Sequence, residues 1–594
     1  MVSIIILTVV GVLFAGVSFF LTYMYGGGGT AVIIAGIGGT GLAVALSLVA
    51  IWKLGLERFL KLGIEVLLGG VLAFTILAIG GCPKWTWVII ECAIALAVIF
   101  WLLRMLLAGK LTYVKTPLNL LLILLVAYVF FQLLPMPAGI LRAFQSNTLR
   151  VHTVGPPNVP AAAERSLDAG GAWPISLCRS RTRDALYLVI TYVCFFWVFI
   201  NNVTSRQQLG RLLGVLLTAG AVVVVMGFAT ASQKEANYYR VWPVGSSGEK
   251  PAFLNRDANV EESAGYGFWE GESDEESTVR NHVDWYVHKV HGGDVFAGYP
   301  NSNTAATAMV MMLCVALGIG FAYLATRRTE WGRSGGLLYT REGNLTLLAL
   351  FAALLLVAGI AVSKSRGGLG VMFVAVPLLL ILVAFSRSWL RGVVTLALSP
   401  VVVLALLVLI FVGMMLITGS WGQLFSGDLW GDPVGWCARK AGLSLKPWEE
   451  QARQVGRAAT WEIFGDFRMF GTGLGTFGNV YPGYMHTGRL LYFAHCDPVQ
   501  WLAETGLVGG ALALAILGAG LWTVVRGLMC LKDLFFRRLL LGCAVGCLAF
   551  LGHGLIDYPL YVPGVAIIFV TLGGACVVLG NDQIARHEED DFIF

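Results

Sequence analysis

Charged side chains are scarce in this sequence. Asp, Glu, Lys and Arg make up 13% of its 594 residues, whereas hydrophobic residues make up 57%. A soluble domain carries about 25% charged residues, so the polar side chains here are too few to cover a globular core of this size. The shortage excludes an ordinary soluble protein and leaves a lipid bilayer as the solvent for most of the chain.

Several catalytic and metal-binding motifs are missing as well. The sequence has no Walker A phosphate loop, no His-Glu-x-x-His zinc motif and no Gly-x-Ser-x-Gly nucleophile elbow. Its eleven cysteines include no Cys-x-x-Cys pair and no zinc spacing. We therefore expect neither a metal nor a cofactor. The net charge of +6 is spread over short loops, which gives no basic face for a nucleic acid.

Long apolar runs are what the chain has instead. Ile4–Tyr23 and Leu347–Val362 are examples of nearly charge-free stretches, and about 20 helical residues cross a bilayer core of ~30 Å. The runs predict an all-α polytopic membrane protein with about 12–14 transmembrane helices. The candidate helices lie near residues 3–24, 31–52, 62–80, 86–103, 117–134, 184–200, 212–230, 303–325, 345–362, 369–385, 392–418, 498–525, 539–557 and 563–580.

The distribution of Lys and Arg over short loops predicts the orientation, because such residues stay on the cytoplasmic side. Alternate short loops are basic, and the loops between them carry little beyond Lys84, Lys364 and Arg366. Both termini are then cytoplasmic, and three long segments are extracytoplasmic. The predicted order is transmembrane helices over 1–135, an extracytoplasmic loop over 136–183, helices over 184–231, an acidic extracytoplasmic loop over 232–302, helices with a Ser-Arg-Gly-Gly turn over 303–418, an extracytoplasmic catalytic loop over 419–497, and helices with a short acidic cytoplasmic tail over 498–594.

A cationic turn at 363–368, with the sequence Ser-Lys-Ser-Arg-Gly-Gly, is the first candidate site. It enters a helix at a membrane face, where free backbone amides and the helix dipole attract anions. The guanidinium of Arg366 adds bidentate recognition of phosphate, and Lys364 adds charge. The alternative is an arginine that reaches for lipid headgroups, but such a residue usually stands alone.

A histidine just ahead of a helix is the second candidate. In the stretch Ala-His-Cys-Asp-Pro-Val-Gln at 494–500, Asp497 is predicted to cap the helix and Gln500 to complete a capping box. The positive helix end disfavours imidazolium, so His495 is predicted to be a neutral proton acceptor, as a general base requires. The alternative is an ordinary half-exposed loop histidine.

Two further motifs lie in the predicted outer loops. The first is Arg457, followed by a predicted surface helix and the glycine turn Gly-Thr-Gly-Leu-Gly-Thr-Phe at 471–477. Arg457 is either a second phosphate contact or a surface charge. The other motif is the turn with Asn301 and Asn303, whose side chains are suited to capping the following helix or to donating to sugar or phosphate.

Together these motifs resemble the O-antigen ligase and polymerase family of bacterial envelope enzymes. The order is that family's: Asn-x-Asn-x-x-Ala, Ser-Arg-Gly-Gly, Arg-x-x-x-Trp, Gly-x-Gly-Leu-Gly-Thr-Phe, then Ala-His-x-Asp with Leu-Ala-Glu-Thr-Gly-Leu-Val-Gly. Pro-Ile-Ser-Leu at 174–177 is also similar to the family, so the resemblance covers about residues 174–510.

The resemblance implies a metal-independent transfer of a glycan from an undecaprenyl-diphosphate carrier to an acceptor hydroxyl. The reaction would take place at the periplasmic face of the bacterial inner membrane, with membrane lipids around the enzyme. His495 would be the catalytic base and Arg366 would bind the leaving diphosphate. Substrate-binding residues would be Arg457, Lys364, Asn303, Asn301 and Lys289. The chain departs from the family in having Cys496 where Asn usually follows the histidine, and only Lys289 or a histidine stands where ligases carry an arginine.

Three functions within this family stay open, because the acceptor is a lipid in a ligase, a lipid-linked glycan in a polymerase and a protein in a protein O-oligosaccharyltransferase. A solute or lipid-linked-sugar transporter is the alternative from another class. Transporters place ionisable groups near the bilayer midplane, whereas the unusual charges here gather at one membrane face. The sequence also leaves open whether any of the loop cysteines Cys82, Cys178, Cys437 and Cys496 pair.

Overall fold

A computed structural model describes residues 55–154, 172–231, 296–327, 340–385, 447–484 and 491–581, except the single positions 83, 112, 298 and 300. Its helices, in chain order, are α1 (Leu56–Leu77), α2 (Lys84–Ala108), α3 (Pro117–Leu133), α4 (Ala138–Phe144), α5 (Ser146–Val154), α6 (Arg179–Asn202), α7 (Arg206–Ala231), α8 (Ser302–Arg327), α9 (Arg341–Val362), α10 (Arg366–Phe385), α11 (Pro447–Asp466), α12 (Phe477–Val480), α13 (Asp497–Cys530), α14 (Leu534–Gly554) and α15 (Pro563–Gly580). Short 3₁₀ turns lie at Ile79–Gly81, Tyr481–Tyr484 and Pro559–Tyr561.

Ten of these helices are long and apolar enough to cross a membrane, counted over the described ranges alone, and α3 is a shorter apolar helix. The all-α polytopic membrane fold is therefore confirmed. Every predicted helix within those ranges is present. The bounds of α15 agree with the predicted 563–580, whereas other ends are shifted by up to about six residues; α6, for example, begins at Arg179 rather than at 184. The helices predicted at 3–24, 31–52 and 392–418 lie outside the described residues. Over the residues that the structure describes, the one sheet pairs β1 (Met136–Pro137) with β2 (Ala172–Trp173) in antiparallel fashion.

The centre of the bundle is α8, which packs against α14 and α9. The approach of α8 to α14 is close because glycines meet there: a Cβ on Gly318 would lie 2.8 Å from the Cα of Gly542. Small residues at such contacts are how membrane helices come within van der Waals range. Helices α14 and α15 are also largely buried, so the segments at their ends leave the interior of the bundle.

Helix α13 is broken at Gly506, which has φ 62° and ψ −166°. The break frees carbonyl groups, and other segments satisfy them. The Gly473 amide donates to the Glu504 carbonyl at 2.9 Å, and the Tyr128 hydroxyl donates to the Thr505 carbonyl. The amide of Leu507 in turn donates to the Arg468 carbonyl at 2.7 Å. Irregular backbone in a membrane protein is tolerated where protein groups satisfy it in this way.

Candidate functional site

The imidazole of His495 contacts a carboxylate from a distant part of the chain. Its Nδ1 lies 2.9 Å from Oδ1 of Asp557, in the turn after α14. The Asp557 side chain is 1% exposed and the His495 side chain 12%, so the pair is largely shielded from water. Because a carboxylate accepts hydrogen bonds, Nδ1 is the donor in this contact, and in the neutral tautomer Nε2 presents a lone pair.

The backbone of His495 is held on both sides. Its φ of 50° lies in the left-handed region that few non-glycine residues adopt. On one side, the Ala494 amide donates to Oε1 of Gln500 at 2.9 Å. On the other, Nη2 of Arg457 donates to the His495 carbonyl at 3.1 Å. Arg457 therefore lies at the histidine, and its contact there is with backbone.

Asn301 fixes the other side of the Asp557 carboxylate. Its Oδ1 accepts from the Asn303 amide at 2.9 Å, which caps α8 as the sequence predicted. That bond orients the amide group, so Nδ2 faces Oδ2 of Asp557 at 3.3 Å and the Tyr558 hydroxyl at 3.3 Å. Both carboxylate oxygens of Asp557 thus accept hydrogen bonds.

Asn303 connects this network to the cationic turn. Its Oδ1 accepts from the Ser365 hydroxyl at 2.7 Å, and the same hydroxyl accepts from the Gly368 amide at 3.0 Å and so caps α10. Arg366 is the first residue of α10 and is half-buried, while Lys364 is exposed with a φ of 55°.

A second histidine backs the turn from inside the bundle. The Nδ1 of His553 lies 2.7 Å from the Thr307 hydroxyl, and a Cβ on Gly367 would lie 2.8 Å from its Nε2. The turn at 363–368 is therefore packed tightly on α8 and α14.

The glycine turn and the start of α13 are joined by Glu504, which is fully buried. Its carboxylate accepts from the amides of Gly475 and Phe477 at 2.9 and 3.0 Å, from Nε2 of Gln500 at 3.3 Å and from the Tyr561 hydroxyl at 2.9 Å. Burial, and then the neighbouring Glu504, raises the pKa of Tyr561 well above its usual range, so the hydroxyl stays protonated and donates.

The predicted capping role of Asp497 is wrong. Cys496 occupies the N-cap position without a side-chain bond. The Asp497 carboxylate instead accepts from the Leu560 amide at 3.1 Å, and Gln500 bonds to Ala494 rather than closing a capping box. Two carboxylates of α13 are thus used to hold the 557–561 segment, through Leu560 and Tyr561, against the helix that follows His495.

The structure brings together most, though not all, of the predicted site residues. His495, Arg457, Asn301, Asn303 and the turn that bears Lys364 and Arg366 lie at one end of the bundle and share a connected set of hydrogen bonds. Lys289 and Cys437 lie outside the described residues. Cys82, Cys178 and Cys496 are free thiols, so no disulfide forms among these three.

Sequence reasoning missed Asp557, Gln500 and Glu504 as contributors to the site. Asp557 stands in no motif; its only signal is that it is an acidic residue at the end of a long apolar helix. Gln500 and Glu504 stand in motifs that the resemblance rested on, but sequence spacing does not reveal which distant backbone groups they bind.

Comparison with known families identifies the segment that carries much of this site. Residues 351–514 match the sequence model of the O-Antigen ligase family. Over this segment the chain is similar to that family. The match covers a little over a quarter of the chain and includes Arg366, Arg457 and His495, whereas Asn301, Asn303 and Asp557 lie beyond it. It supports glycosyl transfer of the O-antigen ligase or polymerase type by a multi-pass membrane protein. No curated protein matches the chain.

Proposed function

We propose that this O-antigen ligase family protein transfers a glycan from an undecaprenyl-diphosphate carrier to an acceptor hydroxyl. The reaction takes place at the periplasmic face of the bacterial inner membrane, without a metal. The observation that carries the proposal is the pairing of His495 with Asp557 beside the helix start that bears Arg366. A shielded neutral imidazole next to a cationic helix entrance suits the activation of a hydroxyl against a phosphate leaving group.

In the proposed reaction, His495 acts through Nε2. The acceptor oxygen attacks the anomeric carbon while its proton passes to Nε2, and the bond from that carbon to the diphosphate oxygen breaks. Asp557 stabilises the imidazolium that forms, because its carboxylate accepts the hydrogen bond from the Nδ1–H group. The proton then leaves His495 for the diphosphate or for water, which restores the neutral base.

The diphosphate carries away the electron pair of the broken bond. Arg366 stabilises that negative charge, since a guanidinium binds two phosphate oxygens at once and the first amides of α10 add their partial charge. Lys364 is exposed at the same turn and supplies a second cation. The Nε of Arg457 is buried and has no hydrogen-bond partner among the described residues, which supports a substrate contact there in addition to the backbone bond.

The acceptor is assigned by reconstitution. Purified protein would be incubated with an undecaprenyl-diphosphate oligosaccharide as the donor. Each reaction would also contain one acceptor: a lipid-core glycolipid, a second lipid-linked oligosaccharide or a protein. Glycan on the lipid core supports the ligase; a longer lipid-linked chain identifies a polymerase, and a glycosylated protein identifies a protein O-oligosaccharyltransferase. His495→Ala should abolish transfer while inserting normally into the membrane. No consumption of donor by the wild-type protein would overturn the proposal and favour a transporter.

A further inference from the structure

Helix α6 begins with three arginines at alternate positions, Arg179, Arg181 and Arg183, none of which the proposed reaction uses. Arg179 and Arg183 are exposed, and neither has a hydrogen bond or ion pair with any residue that the structure describes. Arg181 is half-buried, and its carbonyl faces the glycine turn, 3.3 Å from where a Cβ on Gly475 would lie. Arg179 lies within electrostatic range of His152 on α5.

This position is electrostatically unfavourable for a cation. The N-terminal end of a helix carries a partial positive charge, and two guanidinium groups without acidic partners in the described part of the chain add to it. The sequence-based topology also puts Arg179 and Arg183 at the membrane face where Lys and Arg are generally scarce. Asp184, the residue that follows Arg183, is within electrostatic range of another carboxylate, that of Glu91 on α2. An anion at this helix end would offset the repulsion.

The same face of α6 continues into exposed apolar and aromatic side chains. Arg179, Arg183, Tyr187 and Ile190 follow the spacing that brings helix residues onto one side, and Tyr187 and Ile190 are 49% and 37% exposed. Tyrosine is typical of the membrane–water boundary, so the stripe passes from cations to a boundary residue to an apolar residue. That order matches a lipid, whose phosphate precedes its acyl chains.

We propose that the Arg179–Arg183 face of α6 binds the phosphate of an anionic lipid in the membrane leaflet that borders the site, with the acyl chains against Tyr187 and Ile190. Free inorganic phosphate would contact only the guanidinium groups, whereas a lipid contacts the whole stripe. Bidentate arginine–phosphate bonds hold the headgroup. The backbone of the same helix start contacts the glycine turn through the Arg181 carbonyl, so the bound lipid lies at the end of α6 that packs on that turn.

The test is lipid binding by the purified full-length protein in a neutral maltoside detergent. Dioctanoyl phosphatidic acid would be titrated and the lipid-bound fraction measured by native mass spectrometry. We expect Arg179→Gln with Arg183→Gln to raise the half-saturating concentration about tenfold or more. The double variant Arg179→Lys with Arg183→Lys, which keeps the charge, should lose less. The matched control is Arg58→Gln with Lys61→Gln, which removes two exposed cations from α1 and should change binding less than about twofold.

Three results would overturn the inference: unchanged binding by the Arg179/Arg183 glutamine variant, an equal loss in the Arg58/Lys61 control, or full competition by millimolar inorganic phosphate. Neutral dioctanoylglycerol should not bind, and binding as tight as that of phosphatidic acid would contradict a phosphate site. Thermal unfolding of each variant establishes that it is folded. The binding assay needs no glycan transfer, so its outcome is independent of whether the proposed function holds.

Discussion

The Nδ1 of His495 lies 2.9 Å from the carboxylate of Asp557, although 62 residues separate the two in the chain. The contact joins the loop before α13 to the turn after α14. Additional hydrogen bonds hold these segments together: the Leu560 amide donates to Asp497, and the Tyr561 hydroxyl donates to Glu504. The rings of Phe493 and Tyr558 stack there as well, with centroids 4.2 Å apart. The geometry of the pair is therefore set by packing on both sides of it.

Asp557→Asn tests the pair directly. The amide keeps the size of the side chain but removes the negative charge that stabilises imidazolium, so we expect the transfer rate to fall about 10²–10⁴-fold, with a smaller change in KM. Single-turnover rates with a lipid-linked oligosaccharide measure the effect. The control is Asp466→Asn, since Asp466 is also a hydrogen-bonded carboxylate, accepting from the Tyr484 hydroxyl at 2.7 Å. A rate within about twofold of wild type in Asp557→Asn would refute the role assigned to this carboxylate.

Arg366→Lys separates charge from geometry at the start of α10. Lysine keeps the positive charge but loses the fork that binds two phosphate oxygens, so we expect kcat/KM to fall about 10²–10³-fold. Lys364→Arg is the converse control. That side chain is exposed, and extending it into a fork should leave the rate near wild type. Equal activity of Arg366→Lys and the wild-type enzyme would show that the fork is dispensable.

Gln500→Leu tests how the His495 backbone is held. The substitution preserves volume but removes the acceptor for the Ala494 amide and a donor to Glu504, leaving both groups buried and less well paired. We expect a loss of about 1–3 kcal/mol in the free energy of unfolding together with a lower kcat. Gln208→Leu is the control. Gln208 is also buried and accepts from the Thr204 amide, but it lies far from Gln500 in the chain. It should lose stability while the kcat of the folded fraction stays unchanged; a parallel loss of kcat in both variants would assign the effect to stability alone.

The sequence allowed the helices and several of the site residues to be predicted, because those signals are local. A run of apolar residues identifies a span such as α9, and the Asn301 cap follows from its place before α8. The turn at Arg366 could be recognised because it is positively charged, whereas the neighbouring loops on that side carry little charge.

What could not be predicted are bonds between segments far apart in the chain. Aspartate is a residue type that often caps helices, yet the Asp497 carboxylate accepts a hydrogen bond from the distant Leu560 amide instead. The break at Gly506 is likewise stabilised by the glycine turn and by α3, and nothing in the Glu-Thr-Gly stretch specifies those partners. Tertiary competition of this kind overrides local capping preference.

The environment of His152 predicts that the stability of α5 depends on pH. Burial lowers the pKa of His152 to about 4, its Nε2 bonds the Pro174 carbonyl at 3.0 Å, and its ring stacks on Trp173. The folded state holds this histidine neutral, whereas the unfolded state takes up a proton below about pH 6.5. The stability that depends on it is present above pH 6.5 and is lost as the pH falls toward 4.

Amide hydrogen exchange of α5 at pH 7 and pH 5, corrected for intrinsic rates, measures this loss. The wild-type helix should exchange faster at pH 5, and His152→Gln, which retains a donor for the Pro174 carbonyl, should show a smaller change. The same acceleration in both proteins would mean that another group titrates.

Gly506→Ala tests whether the break in α13 is required. A φ of 62° with ψ of −166° is a conformation open essentially to glycine alone, and an added Cβ would lie 2.4 Å from the Met469 carbonyl oxygen. Restoring a regular helix would instead withdraw the Leu507 amide from the Arg468 carbonyl. Either response costs about 2–4 kcal/mol of unfolding free energy, and because the break is joined to the glycine turn we expect transfer to fall with it.

Gly518→Ala is the matched control in the same helix, since a Cβ there meets nothing within 4 Å; it should be neutral or slightly stabilising. Comparable thermal unfolding of the two variants would mean that α13 tolerates a continuous path through residue 506.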